Sequence, residues 1–325
     1  MRILVTGATG FIGTAVVGAL TSAGHGVVGL ARSDAAANSL IASGAEACRG
    51  SLADDESLRR AASEVDGVIH LAFIHGFSGM TLAQRAWVLA GGLPRSILSR
   101  FMAVSIGAER RAIDAIGSAL CGSGRPFVAT FGTMGLAHAG DAATASAVEA
   151  DAPDPLSPGA GRAELEGAVA AWASRGVRAS VVRLAPTVHG EGDRGFVPQL
   201  VRIARSKRQS AFIDDGRQRW PAVHRLDAAN LFLRAVEDGV AGASYHGVAE
   251  EGVRFGEVAE VIGRKLGVPV VTKSAHQAGS HFGWLSRFVA TDNPTSSRHT
   301  QERLGWHPTQ PGLIDDLERL TYFKM

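Results

Sequence analysis

Three glycines, Gly7, Gly10 and Gly13, stand in the run TGATGFIG at residues 6–13. Glycines at this spacing, between a strand and a helix, let the backbone approach a pyrophosphate closely. The helix start then supplies amide donors and a partial positive charge. The surroundings fit such a turn. Residues 2–5 form a short apolar strand, and Phe11, Ile12, Ala15, Val16, Ala19 and Leu20 recur at helical spacing until Gly24. A second strand, residues 27–31, follows at the expected distance. The alternative is an ordinary turn that binds nothing.

The end of the second strand chooses between cofactors, because a carboxylate there bonds the ribose hydroxyls of NAD whereas an arginine accepts the extra phosphate of NADP. Here the chain runs Leu30, Ala31, Arg32, Ser33, with no carboxylate before Asp34. Arg32 can stack on adenine and pair with a phosphate, and Ser33 can donate to it. NADP(H) is therefore expected over NAD(H), unless Arg32 is a solvated surface residue. Thr9 in the turn, Ser51 and Leu52 after the third strand, and Leu71 and Ala72 after the fourth complete this part of the candidate cofactor site.

The elements that position these residues alternate regularly. Helices are expected at residues 35–43 and 54–63, and strands at 45–48, 66–72, 126–132 and 178–185. Such alternation builds a Rossmann-type α/β fold, a doubly wound parallel sheet, here with a smaller, discontinuous C-terminal substrate-binding domain. The cofactor domain is expected to take residues 1–185 plus about 222–250, where 243–249 returns a strand, and the substrate domain 186–221 and 251–325. Residues 141–158, rich in Ala, Asp and Pro, suggest a surface loop.

Taken together, TGATGFIG, DGVIHLA at residues 66–72, RLAPTVHG at 183–190 and LGWHP at 304–308 resemble the extended short-chain dehydrogenases/reductases, which include nucleotide-sugar epimerases and dehydratases. The resemblance spans nearly the whole chain. It implies backbone amides of Phe11 and Ile12 on the pyrophosphate, Thr130 at the catalytic Ser/Thr position, and Pro186, Thr187 and Val188 beside the nicotinamide. It also implies pairing of two copies through helices near 109–120 and 163–174, although Leu165, Val169 and Trp172 could equally pack on the sheet.

Two departures from that family are plain. Its catalytic Tyr, followed four residues later by Lys, has no counterpart. The two tyrosines are Tyr245 and Tyr322, the lysines are Lys207, Lys265, Lys273 and Lys324, and the matching positions hold Pro158 and Arg162. Arg162 can hold ribose hydroxyls but cannot act as an acid near neutral pH. The segment that grips a sugar-nucleotide diphosphate here reads GRQRWPAVHRLD, with Trp220 at the arginine position and Arg217 or Arg219 as possible substitutes.

Thr130 can hydrogen-bond a substrate oxygen but is too weak an acid to protonate it alone. His189 and His75 are the candidate proton donors, each with a structural alternative, whereas His224 fits a structural role. A protonated imine would need no donor, because it accepts hydride to give a neutral amine. Phe73, Phe77, Met134, Phe196, Trp220, Phe282 and Trp284 would suit a bulky apolar substrate, or belong in about half the cases to the core. The expected function is an NADPH-dependent reductase of a bulky C=N or C=O compound. The alternatives are a non-catalytic NADP-binding regulator and a sugar-nucleotide epimerase or dehydratase.

Thirty-three basic against 31 acidic residues give a net charge of +2, which supplies no strong field for nucleic acid or anionic lipid, so neither a nucleic-acid nor a membrane partner is expected. No apolar run approaches the roughly 20 residues of a membrane span. Cys48 and Cys121 have no metal-type spacing and no metal is expected. No signal peptide is evident, so a cytoplasmic protein with a small-molecule partner is expected.

Overall fold

The computed structural model describes residues 1–93, 96–136, 146–319 and 321–323. The first part of the expected surface loop, residues 141–145, and Lys324 lie outside the described residues. Strand β1 (Arg2–Thr6) leads into α1 (Phe11–Ser22), β2 (Gly26–Ala31), α2 (Asp34–Ala42), β3 (Glu46–Arg49), α3 (Asp55–Ser63) and β4 (Gly67–His70). Helices α4 (Leu82–Ala90) and α5 (Ile97–Leu120) precede β5 (Pro126–Gly132). Helices α6 (Ala160–Ala163) and α7 (Glu166–Ala173) then precede β6 (Arg178–Leu184).

The next elements are β7 (Thr187–His189), α8 (Phe196–Lys207), β8 (Ser210–Ile213), β9 (Arg219–His224), α9 (Arg225–Asp238), β10 (Ser244–Gly247) and β11 (Glu250–Arg254). The chain finishes with α10 (Phe255–Leu266), β12 (Val270–Lys273), α11 (Ala275–Phe282), α12 (Ser286–Val289), α13 (Arg298–Leu304) and α14 (Leu313–Arg319). A seven-stranded parallel sheet has the order β10-β6-β5-β4-β1-β2-β3. The reversal at β1, between β4 and β2, is the switch point at which such sheets bind dinucleotides. Three strands form a second sheet, β11-β9-β7, and β12 pairs with β8 in a third.

The chain divides by packing into two compact units. The first takes residues 1–130, 164–181 and 232–243, and the second 131–163, 182–231 and 244–325. The division runs across β5 and β6 rather than at a linker, because those strands continue from one unit into the next.

In the first unit, Ile3, Leu4 and Val5 are fully buried, as are Val68 and Ile69, which explains why strands covered on both faces are continuously apolar. Asp54 caps α3 by accepting from the Ser57 amide at 3.1 Å. The helix then buries Leu58 with Ala108, Ala112 and Ala115 of α5. Leu165, Val169 and Trp172 are also buried, so these three side chains pack within the protein. Trp172 fills the space left by a missing side chain, since a Cβ on Gly117 would lie 2.4 Å from its ring. In the second unit, Trp220, Phe255, Phe282, Leu285 and Val289 share one core.

The Gly117 contact gives a paired expectation. Gly117→Ala should destabilise the protein by about 1–3 kcal/mol through overpacking. In the same helix, Gly107→Ala meets nothing closer than the end of Arg111 at 3.8 Å and should stabilise by roughly 0.5–1 kcal/mol. Urea unfolding of both variants checks the sign of each change.

Candidate functional site

The first unit carries the glycine turn. Gly7 has φ +70°, and a Cβ there would stand 2.9 Å from the Ala72 amide nitrogen. A Cβ on Gly13 would lie only 2.0 Å from the Gly7 carbonyl oxygen. Only glycine fits either place. Gly10 donates its amide to Gly7 O at 2.9 Å and is the N-cap of α1, to which no side chain contributes a cap. Thr9 and Gly10 are exposed and Phe11 and Ile12 are half-buried at the helix start. This cradle fits a dinucleotide pyrophosphate, because a side chain at Gly7 or Gly13 would push the turn apart and the helix end faces no capping carboxylate.

Beneath the turn lies a pair that the sequence did not reveal. Thr6 Oγ1 accepts from the Ala72 amide at 3.2 Å, leaving its hydrogen for His70 Nδ1 at 2.8 Å. The Leu71 amide donates to Thr6 O at 3.2 Å. This lacing holds Leu71 and Ala72 against Gly7. Polar residues at the buried ends of otherwise apolar strands were the available signal.

At the ribose end, Arg32 is exposed, with Nη1 3.5 Å from the Ser78 carbonyl oxygen. Ser33 caps α2, its Oγ accepting from the Ala36 amide at 3.2 Å, which leaves its own hydrogen free to donate. Asp34 is ion-paired with Arg49. Ser51 Oγ accepts from the Ala53 amide at 3.2 Å, and Leu52 packs in the core with Leu30 and Leu58. Thr130, near the end of β5, is almost fully buried. His75 is exposed, its ring meeting Phe73 edge-on at 5.0 Å. Phe77 is exposed against Phe101.

In the second unit, the segment at Pro158 lies against the turn after β5. Ser157 Oγ donates to Gly135 O at 3.2 Å, and a Cβ on Gly159 would lie 2.7 Å from the Gly135 amide nitrogen. Arg162 is half-buried with its guanidinium 5.4 Å from the centre of the Phe131 ring. Thr187 is buried, paired with Ala222 in β9, and its hydroxyl donates to Pro221 O; Pro186 and Val188 on either side are partly exposed.

His189 lies against Asp316. It is 1% exposed, and its Nδ1 is 2.6 Å from Asp316 Oδ2. Burial lowers its pKa, opposed by that carboxylate. His224 approaches the same oxygen at 3.7 Å, and burial lowers its pKa too. Close by, Asp193 accepts from the Tyr322 hydroxyl at 3.0 Å and the Gly195 amide at 2.6 Å, and burial pushes its pKa up to about 6. None of Asp316, Asp193 or Tyr322 was picked out from the sequence, because the side chains that meet are far apart in it, His189 and Asp316 by 127 residues and Asp193 and Tyr322 by 129.

The apolar candidates in this unit separate by packing. Met134, Trp220 and Phe282 belong to the core, and the Trp220 Nε1 donates to Phe288 O at 3.3 Å. Phe196 is partly buried between the rings of Trp220, Trp284 and Phe288, whereas Trp284 is half exposed. Arg219, one of the two arginines that could substitute at the diphosphate position, has its Nη2 2.6 Å and its Nε 3.1 Å from the two oxygens of Asp292. Arg217 is paired with Asp215. Among the described residues no group of three or more His, Cys, Asp or Glu is placed to hold a metal.

Comparison with known proteins agrees with this geometry. The NAD dependent epimerase/dehydratase family matches residues 3–90, the stretch that holds the glycine turn. An uncharacterised protein of Schizosaccharomyces pombe is 45% identical over 99% of this chain and all of its own length. One of Saccharomyces cerevisiae is 40% identical over 98% of each. A ketoreductase of Stigmatella aurantiaca, named for a farnesyl-dihydroquinoline oxide, is 28% identical over 75% of this chain and 67% of its own. Among solved structures, a dTDP-glucose 4,6-dehydratase of Streptomyces venezuelae with NAD bound is 19% identical, covers 98% of this chain and 95% of that one, and superposes with a TM-score of 0.74. The turn, the parallel sheet that presents it and these relatives together place the chain in the NAD-dependent epimerase/dehydratase family of NAD(P)-dependent oxidoreductases, within the extended short-chain dehydrogenase/reductase class.

Proposed function

We propose that the protein is an NADPH-dependent reductase of a bulky, largely apolar carbonyl or imine. The observation that carries this reading is a glycine turn that tolerates no side chain at Gly7 or Gly13, kept in a chain with Pro158 where its family has a catalytic tyrosine. Bound NADPH supplies hydride. The turn binds the pyrophosphate, Arg32 and Ser33 take the ribose phosphate, and Arg162 holds ribose hydroxyls. The Thr130 hydroxyl orients the substrate oxygen.

Two features support reduction over epimerisation. Epimerisation needs a base to remove a proton from a sugar hydroxyl, and neither proline nor arginine is one at neutral pH. It also needs a free cation for the nucleotide, while Arg219 is tied to Asp292. The Stigmatella aurantiaca ketoreductase, with a farnesylated substrate in its name, supports a bulky apolar carbonyl. An imine has its own support, since a protonated iminium accepts hydride without a proton donor, and His189 is occupied by Asp316.

NADPH consumption against a panel of bulky ketones and cyclic imines, with NADH in parallel, tests the reading. Substrate-dependent oxidation of NADPH is expected. Tight NADPH binding without turnover of any panel member would instead make the chain a non-catalytic NADP-binding regulator.

Arg32→Glu should raise the Kd for NADPH roughly 10- to 100-fold, the equivalent of losing a charge-assisted phosphate contact, and change NADH binding far less. Fluorescence titration of both cofactors reads the difference, and equal losses would remove Arg32 from the phosphate site. Thr130→Val should lower kcat/KM for a ketone by roughly 100-fold, as for loss of an oxyanion donor. With an iminium substrate the same variant should stay within a few-fold of wild type.

A further inference from the structure

Arg32 follows the last residue of β2, and its guanidinium comes to rest on a turn 46 residues further along, where Nη1 is 3.5 Å from the Ser78 carbonyl oxygen. Among the described residues no carboxylate pairs with it, and the nearby Asp34 is taken by Arg49. A guanidinium carries five N–H donors in a fixed fork. With Nη1 on Ser78 O, the Nε and Nη2 donors remain for an anion.

The turn itself is firmly built. Gly79 N donates to Gly76 O at 3.0 Å and Met80 N to Phe77 O at 3.0 Å. Ile74 and Met80 lie in one core with Leu30 of β2, and the Phe77 ring meets Phe101 of α5 edge-on at 5.7 Å. Arg85 Nε donates to Met80 O at 3.1 Å. Sharing a core with Leu30 is what brings the turn beside Arg32, two residues further on.

Gly79 stands between the buried side of this turn and Arg32. A Cβ there would lie 3.2 Å from Ile74 Cγ2 and 3.4 Å from Arg32 Nη1. Ile74 is 4% exposed and fixed in the core, whereas Arg32 is exposed, so a side chain at this position would displace the guanidinium first. Gly79 has no positive φ, so the backbone makes no demand for glycine here. The space beside Arg32 does.

We propose that the Gly76–Gly79 turn is the back wall of the NADPH ribose-phosphate site and that Gly79 is a positioning residue for it, leaving clear the space in which the Arg32 guanidinium lies with its remaining donors open to the phosphate. This rests on Arg32 being the phosphate ligand of the reading above. A wall that fixes the fork in advance lowers the ordering cost of binding, and so adds to the preference for NADPH without touching the phosphate itself.

A double-mutant cycle on cofactor binding tests this, with fluorescence titration of NADPH and NADH against the wild type, Gly79→Val, Arg32→Ala and the double variant. Gly79→Val should raise the Kd for NADPH roughly tenfold, the scale of a weakened charge-assisted contact, and leave that for NADH almost unchanged. In the Arg32→Ala background the same substitution should have almost no further effect on NADPH, because it acts through the arginine. The melting temperature reports any damage through Ile74, and Gly79→Ala, with one added carbon, should show the same pattern on a smaller scale in a fold less disturbed. NADPH affinity that is unchanged in both Gly79 variants, or lost equally with and without Arg32, or lost together with NADH affinity in Gly79→Ala, overturns the proposal. Arg32→Ala that weakens NADPH and NADH alike removes Arg32 from the phosphate site and overturns the underlying reading with it, an outcome distinct from failure at Gly79 alone.

Discussion

The Gly7 carbonyl oxygen occupies the space a side chain on Gly13 would need, at 2.0 Å from an ideal Cβ. This contact of backbone with backbone sets the angle at which α1 leaves β1. Ala72 presses on the other side of the same turn, where a Cβ on Gly7 would lie 2.9 Å from its amide nitrogen. The Thr6 hydroxyl, bonded to both Ala72 and His70, laces β1 to the end of β4. A pyrophosphate site made of amides rather than side chains works only when the backbone itself is held this closely. The first unit therefore devotes its two central strands to holding one turn.

The second unit depends on buried polar groups that satisfy one another. The Asp227 carboxylate accepts amides from Thr309 and Gln310, each at 3.0 Å, and its carbonyl oxygen accepts from Trp306 Nε1. This explains why LGWHP accompanies HRLD in the chain: the indole and the carboxylate fasten the chain around 306–310 onto α9. Elsewhere Arg183 donates to Glu149 O, His246 bonds the Ser296 carbonyl oxygen through Nδ1, and the Glu149 carboxylate accepts from both the amide and the hydroxyl of Thr300. Burial draws the His246 pKa down to about 4, so this network keeps a neutral imidazole. His189 with Asp316 follows the same rule.

The sequence by itself determined the order of strands and helices in the first unit. Buried parallel strands must be continuously apolar, and Pro126–Gly132 appears in the structure with its expected bounds. It also determined the glycine turn, because no other residue fits those contacts, and the loss of the tyrosine, which is a matter of residue identity alone. What only the tertiary structure decided was the fate of side chains whose partners are remote. Trp220 and Phe282 are core because α8, β9, α10 and α11 enclose them. Arg219 is ion-paired with Asp292, 73 residues away, and the His189 ring meets Asp316, 127 residues away. Local spacing carries the geometry of a turn or a strand, whereas whether a charged or aromatic group is free depends on what the rest of the chain brings beside it.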